Sequence, residues 1–203
     1  MYPHKIANLA ISILLAFFFT ACSMNNLMTP NKKKSYEKKE ISASLINEVI
    51  NITHLIKQNN LALLNSRYID PKYGLYEVSK LEGKNIFEHK NSITAIKNEV
   101  DSFEVKNEKA NFSCSSLDDS LYGWDKEGIY LNAKTRPLIT TIMEEVNILK
   151  PNSYKEEEIE KVDFIEQTSY EVTITYNMIF YLTLIDDMWY ITLIDNATTN
   201  CLD

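Results

Sequence analysis

Few residues of this chain carry reactive side chains, and their spacing assembles no catalytic set. His54 and His89 are the only histidines after His4. Neither sits in a recognisable Ser/His/Asp or Cys/His arrangement. His54 lies in a helical pattern with no second ligand at metal spacing, so it reads as an exposed or satisfied ring. Asp118, Asp119, Asp125 and Glu127 put four carboxylates within ten residues. Such a cluster could bind calcium, but its spacing fails the EF-hand loop, which needs alternating oxygens and a distal Glu. It reads instead as a solvated acidic loop whose Tyr122 and Trp124 cover the edge of the core. Glu144 and Glu145 would point about 100° apart on a helix and so do not share a site. Asp163, Glu171 and Tyr181 are the residues that could form a carboxylate base beside a phenolic donor, although no motif selects them. The expectation is no metal, no cofactor and no catalytic residue.

The three cysteines say more. If Cys22 is set aside, Cys114 and Cys201 form an even pair. One bridge in an oxidising compartment is one reading of it, and two separate buried thiols are the other. A bridge would close a loop of 87 residues, stabilising the fold by about 4.5 kcal/mol on the chain-entropy model.

Charge narrows the function classes. From residue 41 onward the chain has 15 Lys+Arg against 26 Asp+Glu. So acidic a domain lacks the basic face that nucleic acid requires. Only four glycines occur in 203 residues, and no phosphate-loop or dinucleotide fingerprint is present. Hydrophobic content of 45% and charged content of 24% are globular values.

The N-terminus has a polar start with His4 and Lys5, then the apolar run Ile11-Ser12-Ile13-Leu14-Leu15-Ala16-Phe17-Phe18-Phe19. Small residues follow, just before a cysteine, in Thr20-Ala21-Cys22-Ser23. This is the pattern of a secretory leader, too short for a spanning helix. Phe19-Thr20-Ala21-Cys22 resembles the lipobox of bacterial lipoproteins, although that family more often has Leu where Phe19 stands. The resemblance implies cleavage before Cys22 and acylation of that residue. More than one acyl chain makes a stable anchor. Ser23 stands where Asp would retain a Gram-negative lipoprotein in the inner membrane, so the resemblance implies the outer membrane, facing the periplasm. The expected organisation is a signal peptide over 1–21, a lipidated Cys22 with a Lys-rich tether over 22–40, and one domain over 41–203. The tether would reach about 23 Å as a random coil. Lys32, Lys33, Lys34, Lys38 and Lys39 would either attract anionic headgroups or simply keep it solvated.

Periodicity in the domain predicts an α+β fold: an antiparallel sheet ending in a long C-terminal hairpin, packed on one or two helices. Ile41, Leu45, Val49, Ile52 and Ile56 recur at helical steps over 42–64, with Asn59-Asn60 a weak point. A second helix opens near Thr135-Arg136-Pro137, with the stripe Leu138, Ile142, Val146 and Leu149 and with Ile139 and Met143 beside it. Asp70-Pro71 starts a turn into a strand at Leu75. Val162 and Phe164 alternate with charges and read as strand. The strongest signal is Ile179 to Ile194 about Asp186-Asp187. A two-residue turn there pairs Leu184 with Trp189, Leu182 with Ile191 and Phe180 with Leu193 on an apolar face. Asp-Asp suits such a turn less well than Asp-Gly, so a longer loop is the alternative. The other face pairs Thr183 with Tyr190 and Tyr181 with Thr192. It reads either as an exposed Tyr/Thr surface or as a pocket lining.

Three segments, Met188-Trp189-Tyr190-Ile191-Thr192-Leu193-Ile194-Asp195 through Cys201, Cys114 to Gly128, and Asp70-Pro71-Lys72-Tyr73-Gly74, are similar to a group of small bacterial lipoproteins with no assigned activity. The element order also resembles NTF2-like or cystatin-like folds, by architecture alone. Two functions fit these residues. One is a non-catalytic membrane-anchored module binding an envelope protein or small ligand through Tyr122, Trp124, Tyr181 and Tyr190. The alternative is a small pocket enzyme of NTF2-like type using a carboxylate base.

Overall fold

The computed structural model describes residues 40–115, 122–135 and 137–201. Cys22, the leader, most of the tether, Asp118 and Asp119 lie outside the described residues. In chain order the elements are α1 (Ala43–Lys57), α2 (Leu61–Tyr68), β1 (Leu75–Leu81), β2 (Lys84–Lys90), β3 (Val105–Lys106), β4 (Phe112–Cys114) and β5 (Tyr122–Trp124). They continue with β6 (Ile129–Asn132), α3 (Ile139–Leu149), α4 (Glu156–Thr168), β7 (Tyr170–Ile174), β8 (Met178–Ile185) and β9 (Met188–Asp195). The fold class is α+β, and its sheet is mostly antiparallel with the β8–β9 hairpin at its centre.

Local chemistry sets the helix ends. Ser42 caps α1 by accepting from the Leu45 N–H at 3.1 Å. The long helix predicted over 42–64 breaks at Asn59, which takes a left-handed φ of 52°, a conformation that Asn tolerates. Asn60 then caps α2 by accepting from the Leu63 N–H at 3.1 Å. The side chains of Leu45, Val49, Ile52 and Ile56 are all fully buried.

The seven-stranded sheet has the order β2-β1-β9-β8-β7-β6-β3, with β1–β9 and β3–β6 parallel. Asp186 and Asp187 both take positive φ, 48° and 64°, as a two-residue hairpin turn of right-handed strand twist requires. Leu184 pairs with Trp189, Thr183 with Tyr190 and Leu182 with Ile191, as the alternation predicts. Beyond these the register shifts between Tyr181 and Leu182, so Phe180 pairs with Ile194 and Tyr181 with Leu193. The predicted partners Phe180–Leu193 and Tyr181–Thr192 are therefore corrected by one extra residue, Thr192.

Helices cover both faces of this sheet. On one side α1 and α2 pack on Val172, Phe180, Leu182, Ile191 and Ile194. On the other, α3 and α4 pack on Tyr76, Ile179, Tyr181 and Leu193. Burial of each large apolar side chain contributes roughly 1.5–3 kcal/mol, so the two layers hold the sheet from both sides. Residues 162–164 lie within α4 and are not a strand. The apparent two-residue alternation hid a three-to-four-residue one, in which Val162, Ile165 and Glu166 are buried. Glu156, Glu157 and Glu158 occupy the first turn of α4, where acidic residues complement the helix dipole. The predicted stripe of α3 is rotated as well. Ile139, Thr140 and Met143 face inward, whereas Leu138 and Leu149 are 66% and 85% exposed.

Met143 is fully buried and Ile148 is 79% exposed, so this orientation predicts unequal costs. Met143→Ala should cost about 2–4 kcal/mol in urea unfolding, and Ile148→Ala less than about 0.5 kcal/mol. Equal costs would contradict the placement of α3.

Candidate functional site

Two places concentrate functional chemistry. The first is interior, where α3 and α4 meet the sheet. Thr183 and Thr192 are fully buried and share a hydrogen bond of 2.7 Å. Glu171 accepts from the Thr135 hydroxyl at 3.0 Å and from the Tyr181 hydroxyl at 3.2 Å. Glu166 accepts from the backbone N–H of Thr140 at 2.7 Å and from its hydroxyl at 2.6 Å. A carboxylate from α4 thereby caps the first turn of α3, whose own N-cap residue, Leu138, offers no side-chain oxygen. The Gln167 amide donates to Asp163. A buried polar group costs free energy unless it is hydrogen-bonded, and these contacts satisfy groups that the helix layer encloses. The exposed Tyr/Thr surface expected here does not exist. Tyr181 is only 5% exposed, so it belongs to the interior and not to a binding surface. Tyr190, half-buried nearer the turn, donates to the Met188 sulfur at 3.5 Å.

Burial, and then the charge of Glu171, hold the Tyr181 phenol well above the ordinary tyrosine range. Burial, and then the charge of Glu158, push Tyr76 up to about 12.

The second place is a corner at one end of the sheet. Strands β4 and β5 pair as a small antiparallel ribbon, Phe112 opposite Trp124 and Cys114 opposite Tyr122. Asp125 closes its base, accepting from the Asn111 N–H at 2.9 Å and from the Asn111 amide at 2.8 Å. The Asn111 backbone N–H, followed by its side-chain amide, lowers the Asp125 pKa below the usual carboxylate range. Cys114 is bridged to Cys201, with Cα atoms 5.4 Å apart, which fixes the C-terminal tail to the ribbon. Lys80 holds the same tail by donating to the Asn200 carbonyl at 3.0 Å.

The rings of Phe112 and Trp124 meet at 5.2 Å and 74°, and those of Phe112 and Tyr122 at 5.9 Å and 72°. Edge-to-face packing of this kind stabilises beyond area burial alone. Tyr122 is 57% exposed, while Trp124 is partly buried against the cluster in which α3 and α4 meet the sheet. The structure thus brings Tyr122, Trp124 and the cysteine pair together and leaves Tyr181 and Tyr190 elsewhere. Phe112 was not singled out in the sequence. Its signal is its place two residues before Cys114, which puts it opposite Trp124.

A cavity of about 400 Å³ opens beside this corner, lined by Phe112, Trp124, Tyr176, Asn177 and Asp195, among others. A neighbour of about 410 Å³ shares Glu99, Ile174 and Tyr176 with it. Segment 91–104 has little regular structure and borders both cavities. Asn177 holds it by donating to the carbonyls of Lys97 and Glu99, each at 3.0 Å. Neither of these two cavities has Glu171 or Tyr181 among its described lining residues.

His54 stacks on Phe103 at 4.0 Å, and His89 contacts the Tyr73 carbonyl at 2.8 Å. Among the described residues, no group of three or more His, Cys, Asp or Glu side chains could hold a metal ion. No helix among them is long and apolar enough to cross a membrane. No family model, curated protein or solved structure matches the chain.

The raised tyrosines predict an alkaline limit to stability. An unfolded tyrosine ionises near pH 10, while folded Tyr76 keeps its proton to about 12. The unfolded state therefore binds fewer protons in that window, and stability falls as pH rises from about 10 to 12. The urea midpoint should drop between about pH 9 and 11, and Tyr76→Phe should reduce the drop. A midpoint independent of pH would contradict this burial.

Proposed function

We propose that this chain is a membrane-anchored lipoprotein of a bacterial envelope, lipidated at Cys22 and probing the periplasm from the outer membrane. On this reading the folded domain is a non-catalytic binding module for an envelope protein or small ligand. The observation that carries the binding part is the aromatic corner in which Tyr122 is exposed and Phe112 and Trp124 are partly so. It is tied down by Cys114–Cys201 and flanked by a cavity of about 400 Å³. Rigid aromatic side chains at an exposed edge are the anchors that interfaces favour. The lipobox-like sequence before Cys22 supports the anchor, and a disulfide suits a compartment outside the reducing cytosol. The acidic domain sets nucleic acid aside as a partner.

The second reading is a pocket enzyme with Glu171 as base and Tyr181 as donor, supported by their 3.2 Å contact. That contact and the Thr135 hydroxyl already occupy Glu171 Oε2, and the cavities flanking the aromatic corner open elsewhere.

Two variants test the binding module. Growth with an alkyne-bearing fatty acid should label the wild-type protein and leave Cys22→Ser unlabelled and in the soluble fraction. Tyr122→Ala with Trp124→Ala should leave membrane fractionation and circular dichroism unchanged. The same pair should reduce in-cell cross-linking to a native partner by about tenfold or more. Unlabelled wild-type protein would contradict the anchor, and undiminished cross-linking would remove the corner as the contact.

A further inference from the structure

The cavity beside Trp124 has walls of a particular chemistry. Phe112, Trp124 and Tyr176 all line it, and the Phe112 and Trp124 rings stand at 74° to each other, as two adjoining walls of a box do. Ring faces attract cations through their quadrupoles, most strongly when the cation is desolvated. Glu99 and Asp195 line the same cavity, and Lys97 is the one cation among its described lining residues. Asp195 is engaged by the tail at both oxygens, accepting from the Ala197 and Thr198 N–H groups at 2.8 and 2.9 Å and from the Thr198 hydroxyl at 2.6 Å. Glu99 is exposed and shared with the neighbouring cavity, where Asp101 and Glu127 add two more carboxylates.

Asn177, another lining residue, donates to the carbonyls of Lys97 and Glu99 and so fixes the backbone at Glu99 beside the cavity. Tyr176 is held at φ 62° in the β7–β8 turn, a strained conformation for an aromatic residue. The turn nevertheless presents this ring, 55% exposed, to both cavities. Strain of this kind persists where surrounding structure enforces it and gathers at ligand sites.

We infer that this pair of cavities binds an aliphatic ammonium cation. The aromatic rings contact the alkylammonium surface and Glu99 balances the charge between the two compartments. Two adjoining cavities that share Glu99 and Tyr176 fit an elongated cation with more than one ammonium group, as in a linear polyamine. The same chemistry is carried by a lysine side chain of a peptide. The inference rests on the reading of the aromatic corner as a contact surface and names the ligand class that the corner takes.

The experiment is isothermal titration of the soluble domain, bridge intact, with four probes: spermidine, tetramethylammonium, a Gly-Lys-Gly tripeptide and the uncharged chain 1,5-pentanediol. Spermidine should bind saturably and about tenfold or more tighter than the diol. Glu99→Gln and Tyr176→Asn should each weaken it about threefold or more, and Asn suits the left-handed turn without the ring. Lys97→Gln should tighten binding, because it removes the opposing charge, an effect no merely structural role predicts. Tighter binding of the tripeptide than of spermidine would assign the ammonium to a peptide side chain and support the site. Absence of saturable binding by all three cations, equal binding of the diol, or indifference to both Glu99→Gln and Tyr176→Asn would overturn it. In that event a loss of partner cross-linking in the Tyr122/Trp124 variant would still stand, so the two conclusions fail separately.

Discussion

The structure depends on burying the β7–β8–β9 meander on both faces. Phe180, Leu182 and Ile191 point into the layer of α1 and α2, and their alternates Tyr181, Thr183 and Leu193 into the layer of α3 and α4. Two-sided burial brings hydroxyls and carboxylates inside, and each such group is costly without a partner. The Thr183–Thr192 bond, the Tyr181–Glu171 contact and the Glu166 cap on α3 are the consequence. They also engage Glu171 and Tyr181, the candidate base and donor, in contacts inside the helix layer.

On the proposed reading, recognition falls to the end of the sheet. There the strands run out into the β7–β8 turn, segment 91–104 and the β4–β5 ribbon. Ile93 and Val100 root segment 91–104 in the core, and Trp124 packs against the second cluster. Specific bonds then fix these segments: Asn177 to segment 91–104, Asp125 across the ribbon, and Cys114 to Cys201. A corner fixed in this way offers preformed aromatic surface, so less ordering entropy opposes binding.

Much of this fold was legible in the sequence because it follows from local rules. The Asp186-Asp187 turn, the pairing of Leu182 with Ile191 and the stripe of α1 are set by alternation, helical period and turn chemistry. The β-bulge at Thr192 was not legible, since an extra residue in one strand leaves no mark on composition. Helix α4 was misread because Val162 and Phe164 also satisfy a two-residue period, and only the packing partner decides between the periods. The rotation of α3 has the same origin: Leu138, Ile142, Val146 and Leu149 form a good apolar stripe, yet Ile139 and Met143 are the ones that meet the sheet. At the corner, Tyr122, Trp124 and the cysteine pair stood out by type. Tyr176, Asn177 and Glu99 did not, because they are far from Trp124 in sequence and share its cavity only through the β7–β8 turn and segment 91–104.

The claim at the centre of this account is that the bridge fixes the aromatic corner locally, while the two helix layers hold the rest. Acrylamide quenching of Trp124 fluorescence in a Trp189→Phe background, before and after reduction of Cys114–Cys201, tests it most directly. The account predicts that reduction raises the quenching of Trp124 while far-ultraviolet circular dichroism keeps its folded form. Unchanged quenching with both thiols freed, or loss of the whole fold on reduction, would contradict it.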